Sequence, residues 1–176
     1  DKSLSKRDFK RIAKPLRKFG AHLKLKKNYF LPLTIKGSQN LKPIRYLENK
    51  GSAQVKSSII FAGARTSGRT IIKSKKSRDH TEKLFKYLRL PIKLKNKKNF
   101  DLIEVNKVKK IEPLNYKIPA DLSSCAFFIA LTALLKDSKL TIKDVNINPT
   151  RTAALTILRK MGVKISFIKK KNYKGE

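Results

Sequence analysis

Hydrophobic and polar positions along the chain follow two periods, and the change from one to the other recurs. From Ser5-Lys6-Arg7-Asp8-Phe9, apolar residues return every three or four positions as far as Leu16-Arg17-Lys18-Phe19-Gly20, then every second position in His22-Leu23-Lys24-Leu25. The first pattern predicts a helix closed by glycine, the second a strand. The succession repeats from Ser77-Arg78-Asp79-His80-Thr81, through Tyr87-Leu88-Arg89-Leu90-Pro91, into the strand Ile92-Lys93-Leu94-Lys95. It repeats again from Thr150-Arg151-Thr152, through Leu158-Arg159-Lys160-Met161-Gly162, into Val163-Lys164-Ile165-Ser166-Phe167. The leading arginines Arg7, Arg78 and Arg151 fall at nearly equal intervals along the chain.

A second, more apolar kind of helix lies between these. Ser52-Ala53-Gln54 leads into Val55 to Ala64, with a break at Gly68 and a strand from Arg69 to Lys73. Ser123-Ser124-Cys125 leads into Ala126 to Leu135, with a turn at Asp137-Ser138 and a strand from Lys139 to Val145; Ser52 and Ser123 keep the same interval as Arg7 and Arg78. Strands at Asp101 to Val105 and Tyr116 to Ile118 complete a repeat of roughly 70 residues in the order helix, strand, helix, strand, strand, strand. Such alternation predicts an α/β fold with helices packed on mixed sheets. The apolar helices are expected to be buried, and amphipathic ones such as Thr81 to Leu90 to lie outside them. Lys95 to Asn99 reads as a solvated basic turn between strands. Pro119, in Ile118-Pro119-Ala120, marks the expected domain boundary.

Composition narrows the classes. The 176 residues carry 44 Lys+Arg against 12 Asp+Glu, a formal charge of +32, and are 40% hydrophobic, enough for a core. The longest nearly uninterrupted apolar run, Cys125 to Leu135, falls well short of the roughly 20 residues that a membrane helix needs. A lone cysteine, Cys125, excludes an internal disulfide and a multi-cysteine zinc site, and fits a reducing compartment. His22 and His80 lie in different repeats, neither with a second ligand at metal spacing. The positive charge runs from Lys2 to Lys174, and most of the cations are lysine. Three readings of it stand together: composition bias toward Lys, Ile and Asn, attraction of small anionic substrates, and nucleic-acid binding.

Three helix starts pair a small polar residue with free backbone N–H groups and a nearby cation: Ser52-Ala53-Gln54 after Gly51, Ser77-Arg78, and Ser5-Lys6-Arg7. Helix N-termini attract phosphate and carboxylate through those amides and the helix dipole. Serine at such a place is also an ordinary N-cap, whereas a cap needs no guanidinium.

These residues carry a family resemblance. Ser52-Ala53-Gln54-Val55-Lys56-Ser57, Ser77-Arg78-Asp79-His80-Thr81-Glu82-Lys83 and Asn148-Pro149-Thr150-Arg151-Thr152 with Leu158 to Gly162 resemble the signatures of the 5-enolpyruvylshikimate-3-phosphate synthases. Ser3-Leu4-Ser5-Lys6-Arg7 and Asp121-Leu122-Ser123-Ser124 match two further family segments, and the Ala53 and Arg78-Asp79-His80 variants look like the class II branch. The resemblance implies two inverse α/β barrel-type lobes built from such repeats, the enolpyruvyl transferase fold, closing at a hinge. Residues 1–118 would belong to the N-terminal, shikimate 3-phosphate-binding lobe, and 119–176 to the start of the return into the C-terminal lobe. It implies transfer of the enolpyruvyl group of phosphoenolpyruvate to the 5-hydroxyl of shikimate 3-phosphate, with release of phosphate, on the route to chorismate and aromatic amino acids. No cofactor, metal, nucleic acid or membrane enters that reaction, and the enzyme would be cytoplasmic and monomeric. Ser52, Ala53, Gln54, Ser77 and Arg78 would bind shikimate 3-phosphate, Arg7 and Gln54 phosphoenolpyruvate, and Asp121 would be a catalytic residue at the cleft near the hinge.

Two positions depart from the family pattern: Asp8 stands where proline usually follows the arginine, and Ala120 where glycine usually precedes the aspartate. The expectation is weaker anion binding beside Asp8 and a stiffer hinge at Ala120. The family's N-terminal lysine-serine pair, C-terminal aspartate base and later Lys-Glu element have no counterpart here. The chain is therefore expected to be the middle of a longer enzyme, inactive alone and exposing apolar faces.

Overall fold

The computed structural model describes residues 2–175, and the chain divides into two compact units, Asp1–Ile111 and Glu112–Glu176. The first unit begins with α1 (Lys2–Ser5) and α2 (Lys10–Lys18), then β1 (His22–Leu25) and β2 (Leu33–Lys36), which pair antiparallel. The helix expected from Ser5 onward is thus interrupted at Arg7 to Phe9. Asp8 explains the restart: its Oδ1 accepts the Lys10 amide at 2.7 Å and so satisfies one of the free donors of α2. The carboxylate in the proline's place helps to start the helix.

From Arg45 the chain builds a complete β-α-β-α-β-β module: β3 (Arg45–Glu48), α3 (Ala53–Gly63), β4 (Thr70–Lys75), α4 (His80–Tyr87), β5 (Ile92–Asn96) and β6 (Phe100–Val105). The sheet order is β3-β4-β6-β5, with β3 and β4 parallel and the other two pairings antiparallel. Parallel neighbours require a crossover, and α3 supplies it. The basic turn between β5 and β6 is exposed, as expected.

Alternate residues decide which face is covered. Thr70, Ile72 and Ser74 of β4 and Asp101, Ile103 and Val105 of β6 are buried, and against them pack Val55, Ile59, Ile60 and Ala64 of the α3 segment and Phe85 of α4. The α3 helix is buried as its apolar composition predicts. Gly63 is required by this packing: a Cβ there would come within 2.9 Å of Thr70 Cβ. The α4 helix buries only Glu82 and Phe85 and shows its remaining face to solvent.

Strands β2 and β3 are absent from the sequence reading. Both are short, and β3 inverts the usual pattern, since Leu47 is 61% exposed while Glu48 is buried.

The second unit holds α5 (Leu122–Leu134) and α6 (Ala153–Lys160). These two helices open at Leu122 and Ala153, one repeat after α3 and α4 open at Ala53 and His80. The helices therefore follow the repeat. The strands expected at Tyr116 to Ile118, Lys139 to Val145 and Val163 to Phe167 do not form. What remains of them is one parallel bridge between Ala120 and Val145, because a single edge without further partners does not sustain a strand. The expectation that α5 is buried is also overturned. Phe127 is 80% exposed and Leu134 85%, and Leu122 is the helix's buried residue, since the described residues of this unit form no sheet for α5 to cover. No helix among the described residues is long and apolar enough to cross a membrane.

Candidate functional site

Because β3 and β4 are parallel neighbours, their C-terminal ends lie at one edge of the sheet, and each feeds a helix from that edge. The segments Ser52-Ala53-Gln54 and Ser77-Arg78 occupy those two connections. They are close: Gly51 takes φ +71, and a Cβ on it would stand 3.0 Å from the Lys76 carbonyl oxygen. Glycine is needed here both for the left-handed backbone and for the approach of the neighbouring loop.

Each residue has a distinct state. Ser52 is the N-cap of α3 and its Oγ accepts the Val55 amide at 3.4 Å, so it does act as a cap. Ala53 opens the helix half-buried, and Gln54 is exposed. Ser77 Oγ is shielded from solvent and has no hydrogen-bond partner. Arg78 is exposed and makes no ion pair among the described residues. A buried hydroxyl without a partner, an exposed guanidinium and the first-turn amides of a helix are the kinds of donor that an oxyanion accepts from.

Carboxylates hold the two connections in place. Glu48, Ser74 and Asp101 stand opposite one another across β3, β4 and β6, and all three are buried. Glu48 accepts the Lys50 amide at 3.1 Å on one oxygen and the Gly51 amide at 2.8 Å on the other, fixing the turn before Ser52. Asp101 ion-pairs with Lys76, the residue before Ser77. Arg11 of α2 donates through Nη2 to Gln54 Oε1 at 2.8 Å, which leaves the Gln54 amide NH2 as the group to present.

Glu48 and Arg11 were missed in the sequence. The available signals were an acid just before Lys50-Gly51-Ser52, and an arginine one helical turn after Arg7. Arg7 lies between α1 and α2 and is exposed; its backbone N–H donates to Leu4 O at 3.1 Å, and among the described residues no hydrogen bond or ion pair ties its side chain to Ser52 or Ser77.

In the second unit Asp121 is the N-cap of α5. Its Oδ1 accepts the Ser123 amide at 3.2 Å, its Oδ2 accepts the Ser124 hydroxyl at 3.3 Å, and the Arg151 guanidinium donates to Oδ1 and, at 2.6 Å, to Ser123 Oγ. The Ser123 amide first, and then Arg151 and Ser124, hold the Asp121 carboxyl below the ordinary carboxylate value. Ala120 beside it is extended and bridged to Val145, a conformation that does not demand glycine.

The model of the family "EPSP synthase (3-phosphoshikimate 1-carboxyvinyltransferase)" matches residues 1–174. The chain belongs to the EPSP synthase family. A 3-phosphoshikimate 1-carboxyvinyltransferase of Caldicellulosiruptor bescii is 42% identical over 100% of this chain, and one of Petrotoga mobilis is 40% identical over 100%. The chain spans 41% and 40% of those two relatives' lengths. A solved EPSP synthase from Acinetobacter baumannii superposes on 92% of this chain and 36% of its own, with TM-score 0.72 and 38% identity. The helix and strand modules described above are thus part of the enolpyruvyl transferase fold.

Proposed function

We propose that this chain supplies the shikimate 3-phosphate-binding surface of an enzyme that transfers the enolpyruvyl group of phosphoenolpyruvate to the 5-hydroxyl of shikimate 3-phosphate. The observation that carries the reading is the meeting of Ser52-Ala53-Gln54 with Ser77 and the unpaired Arg78 at one sheet edge. The phosphate is taken by Ser77 Oγ, Arg78 and the first-turn amides of α3, with Ser52 and Ala53 lining its approach. Gln54, its amide turned by Arg11, reaches both substrates. Arg7 holds phosphoenolpyruvate.

In the reaction the 5-hydroxyl oxygen bonds to C2 of phosphoenolpyruvate and gives up its proton to a base, while protonation of the methylene carbon develops positive charge at C2, a cationic intermediate. Loss of a proton from the former methylene carbon, with cleavage of the C2 to phosphate-oxygen bond, restores the alkene and releases phosphate. Anion-holding groups serve that cationic intermediate by fixing both substrates in place. Asp121 enters this reading as the catalytic residue near the hinge, its oxygens engaged by the Ser123 amide, the Ser124 hydroxyl and Arg151. Residues 1–118 are assigned to the shikimate 3-phosphate lobe and 119–176 to the return into the second lobe, in a cytoplasmic, monomeric enzyme of aromatic amino acid biosynthesis.

Calorimetric titration of the chain with shikimate 3-phosphate tests the reading. Binding that weakens at least tenfold in R78A and in S77A supports it. Equal binding by parent and both variants places the phosphate elsewhere.

A further inference from the structure

One buried charged pair in the first unit is left unexplained by the fold. Lys56, on α3, is 0% exposed and Glu82, on α4, is 3% exposed. Lys56 Nζ lies 2.6 Å from Glu82 Oε1. Among the described residues, Nζ and Glu82 Oε2 are both buried without a hydrogen-bond partner. Beside the pair, Ser57 Oγ and Thr81 Oγ1 share a hydrogen bond of 2.7 Å, again between α3 and α4.

Stability does not account for the pair. Buried ion pairs replaced by apolar residues of similar volume are often neutral or stabilising, because desolvation offsets the attraction. Lys56 also lies in the first turns of α3, where the helix dipole disfavours a cation. Its position explains it better. Lys56 lies one helical turn after Ser52, the N-cap of α3, and Glu82 lies in the first turn of α4 after its N-cap Asp79, so the pair joins the first turns of the two helices that open at the candidate site. Ser57 and Thr81 occupy the same turns. An apolar contact there would let one helix slide on the other, whereas an ion pair and a directional hydroxyl bond define one setting.

We propose that Lys56 and Glu82, with Ser57 and Thr81, are positioning residues that latch the first turns of α3 and α4 together and so set the spacing between Ser52 and the Ser77-Arg78 pair. The proposal rests on the reading of those residues as the shikimate 3-phosphate site.

The test uses the whole chain with K56M/E82L, which keeps volume and leaves no orphaned charge, and S57A/T81V as a milder second variant. Each is followed by thermal melting, by amide hydrogen exchange without ligand, and by titration with shikimate 3-phosphate. The latch predicts a melt of K56M/E82L at or above the parent's. It also predicts at least tenfold faster exchange in the first turns of α3 and α4 and at least tenfold weaker binding, with smaller changes in the same direction for S57A/T81V. Exchange and binding equal to the parent's in a stably folded K56M/E82L overturn the latch. A drop in all three in proportion to lost stability also overturns it, since packing alone does that. If the parent does not bind shikimate 3-phosphate, the substrate reading fails, and the exchange rates still decide whether the two first turns are latched.

Discussion

Glu48 offers the sharpest test of how the first unit holds its site. The substitution E48Q keeps shape and size but removes a charge and one acceptor. In the parent, one carboxylate oxygen receives the Lys50 amide at 3.1 Å and the other the Gly51 amide at 2.8 Å; the Ser74 hydroxyl reaches the second at 3.5 Å, the outer limit of a hydrogen bond. A carboxamide oxygen can serve one of the two backbone donors, and its NH2 must then face the other. With Glu48 only 4% exposed, water does not step in. A hydrogen bond to a charged group contributes about 1.5–3 kcal/mol, and an orphaned buried donor costs about 1–3 kcal/mol. Relief of the carboxylate's own burial returns part of this, so the net loss is about 2–3 kcal/mol. In a unit of this size that is a fall in melting temperature of roughly 10–20 °C. Denaturant unfolding followed by circular dichroism measures the stability, and hydrogen exchange at Lys50 and Gly51 localises it. Tyr46 gives an independent signal. Its phenol pKa is raised first by burial and second by the Glu48 charge, so E48Q lowers it part of the way back. A variant within about 0.5 kcal/mol of the parent, with unchanged Gly51 exchange, refutes the role assigned to Glu48.

Other perturbations separate capping from ligand binding. Aspartate caps as well as serine, so S52D leaves the melt within about 0.5 kcal/mol of the parent's but abolishes shikimate 3-phosphate binding by placing a carboxylate where the phosphate goes; retained affinity in a titration counts against that placement. G51A forces a Cβ into a left-handed backbone at 3.0 Å from the Lys76 carbonyl and lowers stability by about 1–2 kcal/mol, measured by denaturant unfolding; an unchanged midpoint would show that the turn yields freely. Asp121 has a depressed pKa in the folded chain, so its contribution is present above the ordinary aspartate value and is lost as pH falls through the depressed value, below about pH 4. D121N therefore removes the acid-induced shift of the Ser123 and Ser124 amide resonances, and an identical titration in the variant would assign that shift to another group.

What could be read in the sequence was whatever depended on local period. Strand β1 lies at His22–Leu25 as its alternation predicts, and α3 is buried as expected, although it carries Lys56. The repeat aligns the helix starts, since α5 and α6 open one repeat after α3 and α4. Two kinds of information were missing. Strand β3 has no apolar alternation to detect, since its buried residue is an acid whose function is to bind backbone amides of the next turn. The burial of α5 and the strands of the second unit depend on partners, and partners are a tertiary property that period does not encode: α5 is the more apolar of the two helices, yet α3 covers a four-stranded sheet and, among the described residues, α5 covers none. The roles of Arg11 and Lys56 could not be read there for the same reason, each defined by a residue distant in the chain, Gln54 in one case and Glu82 in the other.

The recurrence of arginine in the repeat gains a physical meaning when the two units are compared internally. Arg78 stands immediately before Asp79, the N-cap of α4, and Arg151 immediately before Thr152, the N-cap of α6. The first helix of each pair is capped by Ser52 in one case and Asp121 in the other. Where the cap is an aspartate, the arginine is bound to it and to Ser123. Where the cap is a serine, the arginine is unpaired among the described residues. In the second unit the chain's own carboxylate thus meets the guanidinium, and in the first, on the proposed reading, a neutral cap leaves the charge for an anion from solution. On this view the serine at position 52 matters less for its hydroxyl than for not being an acid. S52A should then cost helix stability while S52D costs affinity, a division that ordinary capping at both helices does not produce.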